Sequence, residues 1–161
     1  MSKNTVRTIF ITELFDLYTE TFENVNGMYL DRGTSLFETL KTITAEEASK
    51  PVSSTCASIA AQVEHIRFYM EVVGKALRGE EISKVNWNEI WETVGEVSVD
   101  EWEASKQRLY DAYTKIVSDM KNLDTWEGEN DIAATLEILV HTAYHLGEIR
   151  QALCTIQPPS L

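Results

Sequence analysis

The chain has three histidines, and their spacing gives them the clearest capacity for chemistry. His141 and His145 are four residues apart on the last predicted helix, so both imidazoles project from one face with Cβ atoms roughly 6 Å apart. Two imidazoles at that distance suit a shared metal ion. His65 lies on an earlier predicted helix, on a face that we expect to point to the same interior. We therefore predict one metal site with His65, His141 and His145 as ligands.

Both helices place these histidines where an apolar packing residue would normally lie. The two stripes are Ile138, His141, His145, Ile149 and Ala152 on the last helix, and Ser58, Ala61, His65, Tyr69, Val72 and Ala76 on the earlier one. A buried imidazole without a partner is costly because its nitrogens lose their hydrogen bonds to water. Three converging imidazoles with a position left open are typical of a catalytic metal site, whereas a structural zinc site closes with a fourth ligand, usually Cys.

Other interpretations of the histidines can be weighed against their spacing. A single histidine on a helix face is more often a core or surface residue than a ligand, so a purely structural interaction module stays open as an alternative. A di-iron bundle needs Glu three residues before the histidines, where this chain has Gln62, Ile138 and Thr142. A zinc protease helix of the His-Glu-x-x-His type is excluded because Thr142 follows His141. The pattern leaves the metal open, since imidazoles bind zinc, nickel, copper and iron.

The other reactive or unusual residues are predicted to be structural. Cys56 and Cys154 are too few for a disulfide framework, and we predict that both are small core residues, with a catalytic thiol as the alternative. Gly147 inside a helix costs about 1 kcal/mol relative to Ala, which we attribute to close approach of a neighbouring helix. Glu148, one turn beyond His145, is interpreted as a solvated charge, with a hydrogen bond to an imidazole N–H as the alternative.

The elements that position these residues are predicted to be helices throughout. Apolar residues recur every three or four positions, and the chain contains only 7 Gly and 3 Pro. Four long helices are expected near 11–25, 53–78, 98–123 and 131–155, with N-caps at Ser53 or Ser54 and at Ser98. A short extra helix over 34–43 follows the first, and we expect the Thr44-to-Glu47 capping-box spacing to close it. The connection 80–97, with at most one helical turn, is expected to cross the bundle or cover one end.

Composition limits the classes of partner. The 161 residues, 43% of them hydrophobic, predict one domain over 1–161 with a sufficient core. A net charge of -12 would repel a phosphate backbone, so we expect no nucleic-acid partner. No apolar stretch approaches the roughly 20 residues of a membrane span, and the N-terminus lacks the features of a signal peptide. We therefore expect a cytoplasmic protein without a membrane partner.

Two runs of residues resemble motifs of the DinB-like (YfiT-like) superfamily. The run from Ser58 to Ile66 resembles the second-helix motif, in which a His follows an Ile-Ala pair. The run from His141 to Gln151 resembles the last-helix motif His-x-x-x-His-x-Gly-Gln-Ile, with Glu148 at the position where the family commonly has Gln. Further similarity over 33–36, 46–51 and 99–109 extends the resemblance to most of the chain. The departure at Glu148 removes no ligand.

The resemblance implies a fold and a site. The fold is an up-and-down four-helix bundle with a long connection between its second and third long helices, often assembled as a homodimer. The site holds zinc, nickel or iron through His65, His141 and His145. Despite the DNA-damage association of the family's name, the resemblance implies no DNA binding.

The resemblance also implies a class of activity. Characterised relatives include transferases and isomerases that use a low-molecular-weight thiol such as bacillithiol or mycothiol. We expect a metal-dependent thiol S-transferase, in which the metal binds the thiol as thiolate and an electrophilic small molecule lies beside Gln62 and Tyr69. The alternative is a metal-binding bundle that is a hydrolase or a non-catalytic, dimeric stress-related protein.

Overall fold

Regular structure in the part of the chain that the structure describes is entirely α-helical. A computed structural model describes residues 3–123 and 125–157, and within them it contains seven helices and no strand. The helices are α1 Lys3–Phe22, α2 Leu36–Leu40, α3 Ala45–Ser49, α4 Ile59–Leu77, α5 Glu89–Thr93, α6 Val99–Lys121 and α7 Glu129–Ile156. The predicted all-α class is confirmed. Helices α1, α4, α6 and α7 are the four long ones, and the connection between α4 and α6 contains the short helix α5.

The chain divides into two compact units, one ending at Thr42 and the other beginning at Ile43. The first unit contains α1 and α2, with the rings of Tyr18 and Phe22 stacked and the ring of Phe37 against Phe22. The second unit contains α3 to α7 and all three histidines. Each unit therefore has its own buried apolar residues, and the candidate chemistry lies in the second.

Helix α4 is the centre of the second unit. It packs against α6 and α7 over much of its length, and α3 and α5 contact it as well. Its fully buried apolar side chains are Ile59, Val63, Ile66 and Met70. Trp102 of α6 is also buried, and its indole Nε1–H donates a hydrogen bond of 2.8 Å to the carbonyl of Ile43. These contacts fix the helix that carries His65 against the helix that carries His141 and His145.

Capping residues explain where several helices begin. Ser98 caps α6 with a complete capping box to Glu101, as predicted. The Thr44–Glu47 pair also forms a capping box, but it opens the separate helix α3 and does not close α2. The prediction that this capping box closes a short helix over 34–43 was wrong. A capping box satisfies the free N–H groups at the start of a helix, and here it starts a second short helix.

The starts of three long helices differ from the predicted positions. Helix α1 begins at Lys3 and ends at Phe22, whereas the apolar stripe predicted a helix near 11–25. Helix α4 begins after Ser58, whose hydroxyl accepts the N–H of Ala61 at 3.2 Å, and not after Ser53 or Ser54. Ser53 instead bonds within the turn that precedes the helix. Helix α7 begins at Glu129, before the predicted Asn130 or Asp131. The Asp131 carboxylate accepts the Gly128 N–H at 2.8 Å, which extends the first turn toward the N-terminus.

The loop after α1 is held by one buried carboxylate. Glu20 accepts four backbone N–H groups at 2.6 to 3.0 Å, from Asn26, Met28, Tyr29 and Leu30. Burial alone would raise the pKa of Glu20, but these hydrogen bonds outweigh it and lower the pKa to about 2. The ionised carboxylate is therefore part of the folded structure of this loop.

Replacing Glu20 with Gln should lower the free energy of unfolding at neutral pH, because the amide presents N–H groups to backbone donors. The pKa of Glu20 in the folded protein lies below the unfolded value of about 4.3. The carboxylate's contribution to the free energy of unfolding is therefore complete above that value and is lost as pH falls toward 2. The difference between the two proteins should therefore shrink on acidification. Urea unfolding followed by circular dichroism measures it, with the exposed Glu13→Gln as control. A difference that does not change with pH would contradict this account.

No helix within 3–123 and 125–157 combines the length and the apolar character needed to cross a membrane.

Candidate metal centre

The three imidazole rings meet at one point between α4 and α7. The ring centroid of His65 lies 5.0 Å from that of His141 and 4.9 Å from that of His145, and the last two lie 4.6 Å apart. One ring nitrogen of each residue lies within 4.8 Å of the other two. An ion bonded to two nitrogens at about 2.1 Å in tetrahedral geometry holds them about 3.4 Å apart, so small side-chain rotations suffice for coordination.

These rings have polar atoms without partners. His65 and His145 are 7% and 6% exposed, and His141 is half-buried. Among the described residues, Nδ1 of His65, Nε2 of His141 and Nδ1 of His145 have no hydrogen-bond partner. Nδ1 of His145 lies beside a carboxylate. Buried ring nitrogens are normally satisfied, so the adjacent nitrogens of His65 and His141, which have no partner in the described residues, call for a shared one. A metal ion is such a partner.

The environment keeps the imidazoles neutral. Burial lowers the pKa of all three, and charge repulsion from the other imidazoles adds to this for His65 and His141. The pKa of His65 falls to about 4 and that of His141 to about 3. At neutral pH the rings therefore carry free lone pairs, which is the state that binds metal ions.

Glu148 lies against one of the candidate ligands. Its Oε2 is 2.8 Å from Nδ1 of His145, although the oxygen does not meet the ring N–H in hydrogen-bond geometry. This carboxylate partly offsets the effect of burial on the His145 pKa. Of the two interpretations of Glu148, the structure favours the imidazole partner over the solvated charge.

Aromatic rings pack around the histidines. The Trp91 ring of α5 lies 4.2 Å from the His65 ring, and the Tyr69 ring stacks on His141 at 3.7 Å with an interplanar angle of 13°. Trp87, in the same connection as Trp91, packs against Tyr69 at 5.6 Å. Trp91 was not predicted from the sequence as a site residue. Its signal was a pair of tryptophans among charged neighbours in an otherwise irregular connection.

An open cleft of about 510 Å³ lies against the histidine cluster. Its walls come from the loop before α4, from Gln62 and Trp91, and from one face of α7 between Tyr144 and Thr155, including His145. Gln62 is 7% exposed, and its Oε1 has no hydrogen-bond partner in the described residues. The cleft therefore gives a small molecule access to the cluster.

The structure separates the two predicted pocket residues. Gln62 lines the cleft, whereas Tyr69 is not among its described lining residues and lies between the rings of His141 and Trp87. Tyr69 therefore contacts a candidate ligand without forming the described wall of the cleft.

The predicted structural roles of three small residues were wrong. Two of them, Gly147 and Cys154, lie on α7, and Cys56 lies in the loop before α4. Cys56 and Cys154 are exposed and are not core residues. Cys56 lies outside any helix, in the turn before α4, and lines the cleft. Gly147 is exposed, and a Cβ built on it would meet nothing within 4 Å, so close helix approach does not explain it. Helical periodicity alone does not distinguish the solvent side of a helix from a packed side that carries small residues.

Comparison with protein-family models, curated proteins and solved structures finds no match to this chain. The geometry of the site is therefore the basis for inferring its chemistry. The His65, His141 and His145 group could hold one metal ion, and three imidazoles leave positions on that ion for other ligands.

Proposed function

We propose that this chain is a metal-dependent thiol S-transferase of the DinB-like (YfiT-like) kind, which joins a low-molecular-weight thiol to an electrophilic small molecule. The observation that carries the proposal is the cluster of His65, His141 and His145, with its unpartnered buried nitrogens, beside an open cleft. The motif resemblance around the same three residues supports it. The proposal includes the finer fold, an up-and-down four-helix bundle, a homodimer, and a cytoplasmic location.

The residues present fit a divalent metal. His65, His141 and His145 supply three neutral nitrogen donors, the ligand type that zinc, nickel and iron accept. Glu148 beside Nδ1 of His145 would orient that imidazole and leave Nε2 for the ion. An ion bound there would supply Lewis acidity, which lowers the pKa of a thiol so that it reacts at neutral pH.

The surrounding side chains have separate tasks in this proposal. Trp91 and Tyr69 cover two of the imidazoles and exclude water from them, which strengthens electrostatic interactions at the centre. Gln62 presents an unpartnered carbonyl oxygen near the cluster and would orient the bound small molecule. The cleft volume of about 510 Å³ is in the range of small-molecule sites.

The proposal predicts turnover that needs both a thiol and a metal. An electrophilic dye such as 1-chloro-2,4-dinitrobenzene would be mixed with the purified protein and bacillithiol, glutathione, the uncharged N-acetylcysteine amide or no thiol, with and without chelator. We expect conjugate formation to stop when the thiol is omitted and to fall at least about 100-fold with chelator, since the reactive thiolate fraction depends on the metal. Metal analysis of the same preparation identifies the ion.

The same assay separates the alternatives. Conjugation at the uncatalysed rate in every metal-loaded sample would remove the transferase proposal. Chelator-sensitive hydrolysis of an activated ester without any thiol would instead support a metal-dependent hydrolase on the same centre. A preparation that neither contains nor takes up metal would leave only a helical fold.

A further inference from the structure

The cleft beside the histidine cluster has an unusual charge balance for a site that takes a small thiol. Glu148 is the one charged residue among the described residues that line it, and none of them is Lys or Arg. Small cellular thiols commonly carry carboxylates, which need a cationic partner when they leave water. The part of the cleft lining that the structure describes contains no such cationic partner.

Neighbouring cations are engaged elsewhere. Arg67, two residues after His65, pairs with Glu64 and Glu71 at 2.6 Å each. Lys50, just before the loop that lines the cleft, pairs with Glu46. The chain as a whole has a net charge of -12, so its long-range field repels anions as well.

The other polar groups of the described cleft lining, beside Glu148 and His145, are uncharged. Its lining residues with hydroxyl or amide groups are Thr55, Gln62, Tyr144, Gln151 and Thr155. Gln62, more than nine-tenths buried, has a carbonyl oxygen with no hydrogen-bond partner among the described residues, and a donor group on a bound molecule would satisfy it. The Trp91 ring supplies an apolar surface at the same place.

We propose that the molecule bound in this cleft is uncharged and rich in hydroxyl or amide groups, so that the thiol co-substrate carries no carboxylate. This inference rests on the proposed transferase function and adds to it the chemical class of the thiol. A bound metal ion would balance the one negative charge of the thiolate, whereas a carboxylate elsewhere on the molecule would face Glu148 and neutral dipoles.

A matched pair of probes tests the inference. N-acetylcysteine and N-acetylcysteine amide differ by one carboxylate, and their binding to the full-length, zinc-loaded protein can be compared by isothermal titration calorimetry. We expect the amide to bind at least about tenfold more tightly, because the carboxylate loses water without gaining a partner. Equal or tighter binding of the acid would overturn the inference. Failure of both probes to bind would overturn the proposed transferase function itself.

A charge-gain variant provides a second test. Gln151 is exposed on α7 and lines the cleft, so Gln151→Arg places a guanidinium there at little risk to folding. The preference for the amide over the acid should fall at least about threefold in this variant, because the carboxylate gains a partner. Gln151→Met, of similar length and uncharged, should keep the wild-type ratio. The same ratio in the Arg and Met variants would contradict the electrostatic origin of the preference.

Discussion

Replacing His141 with Ala is expected to weaken zinc binding by more than about 100-fold, which exceeds the usual effect of altering a residue that only orients a ligand. At a free zinc concentration about 100 times the wild-type dissociation constant, zinc should stabilise the wild type by about 2.7 kcal/mol. For a chain of this length that is a rise of roughly 5–10 °C in melting temperature. The variant should show almost none of this rise. Titration calorimetry and thermal unfolding with and without zinc measure both effects.

The controls for this prediction lie on the same helix and in the same cluster. Val140→Ala changes a neighbouring residue that is 65% exposed, and it should leave zinc affinity unchanged. His65→Ala and His145→Ala should resemble His141→Ala, because a shared ion needs all three nitrogens. A His141→Ala protein that binds zinc as tightly as the Val140→Ala protein would show that no shared centre exists.

The parts of the fold that the sequence predicted are those that depend on local chemistry. Ser98 and Glu101 form a capping box in any helix start with that spacing, so the beginning of α6 followed from a few residues. The convergence of His65 on His141 and His145 was also foreseeable, because each residue interrupts an apolar stripe and apolar stripes of neighbouring helices face each other.

The parts that the sequence did not predict depend on the packing of irregular segments. Trp91 contacts His65 only because the connection after α4 folds back over that helix, and no periodic pattern encodes such a path. Cys56 and Gly147 were misplaced because a small residue fits both a close helix contact and an exposed surface. The charge balance of the cleft is likewise a property of three-dimensional neighbours, since its walls come from segments far apart in sequence.

One buried ionic network holds α4 against α6. The carboxylate of Glu64 accepts hydrogen bonds from Ser105 and Arg108 of α6 at 2.5 Å and from Arg67 of its own helix at 2.6 Å. Its side chain is 10% exposed. Burial alone would raise the pKa of Glu64, but these partners outweigh it and lower the pKa. The Glu64 charge is therefore compensated by partners on both α4 and α6.

Replacing Glu64 with Ala should cost about 3 kcal/mol of unfolding free energy, because it leaves Arg67 and Ser105 in a largely buried site without their main acceptor. Glu71→Ala is the matched control, since Glu71 is the other partner of Arg67. The Glu71 side chain is 52% exposed, so its removal should cost less than about 1 kcal/mol. Urea unfolding at neutral pH measures both. Zinc affinity of the folded Glu64→Ala protein should stay within about threefold of wild type, because the histidines lie between α4 and α7 and do not depend on α6 for their donors. A large loss of affinity with little loss of stability would instead place Glu64 in the metal centre.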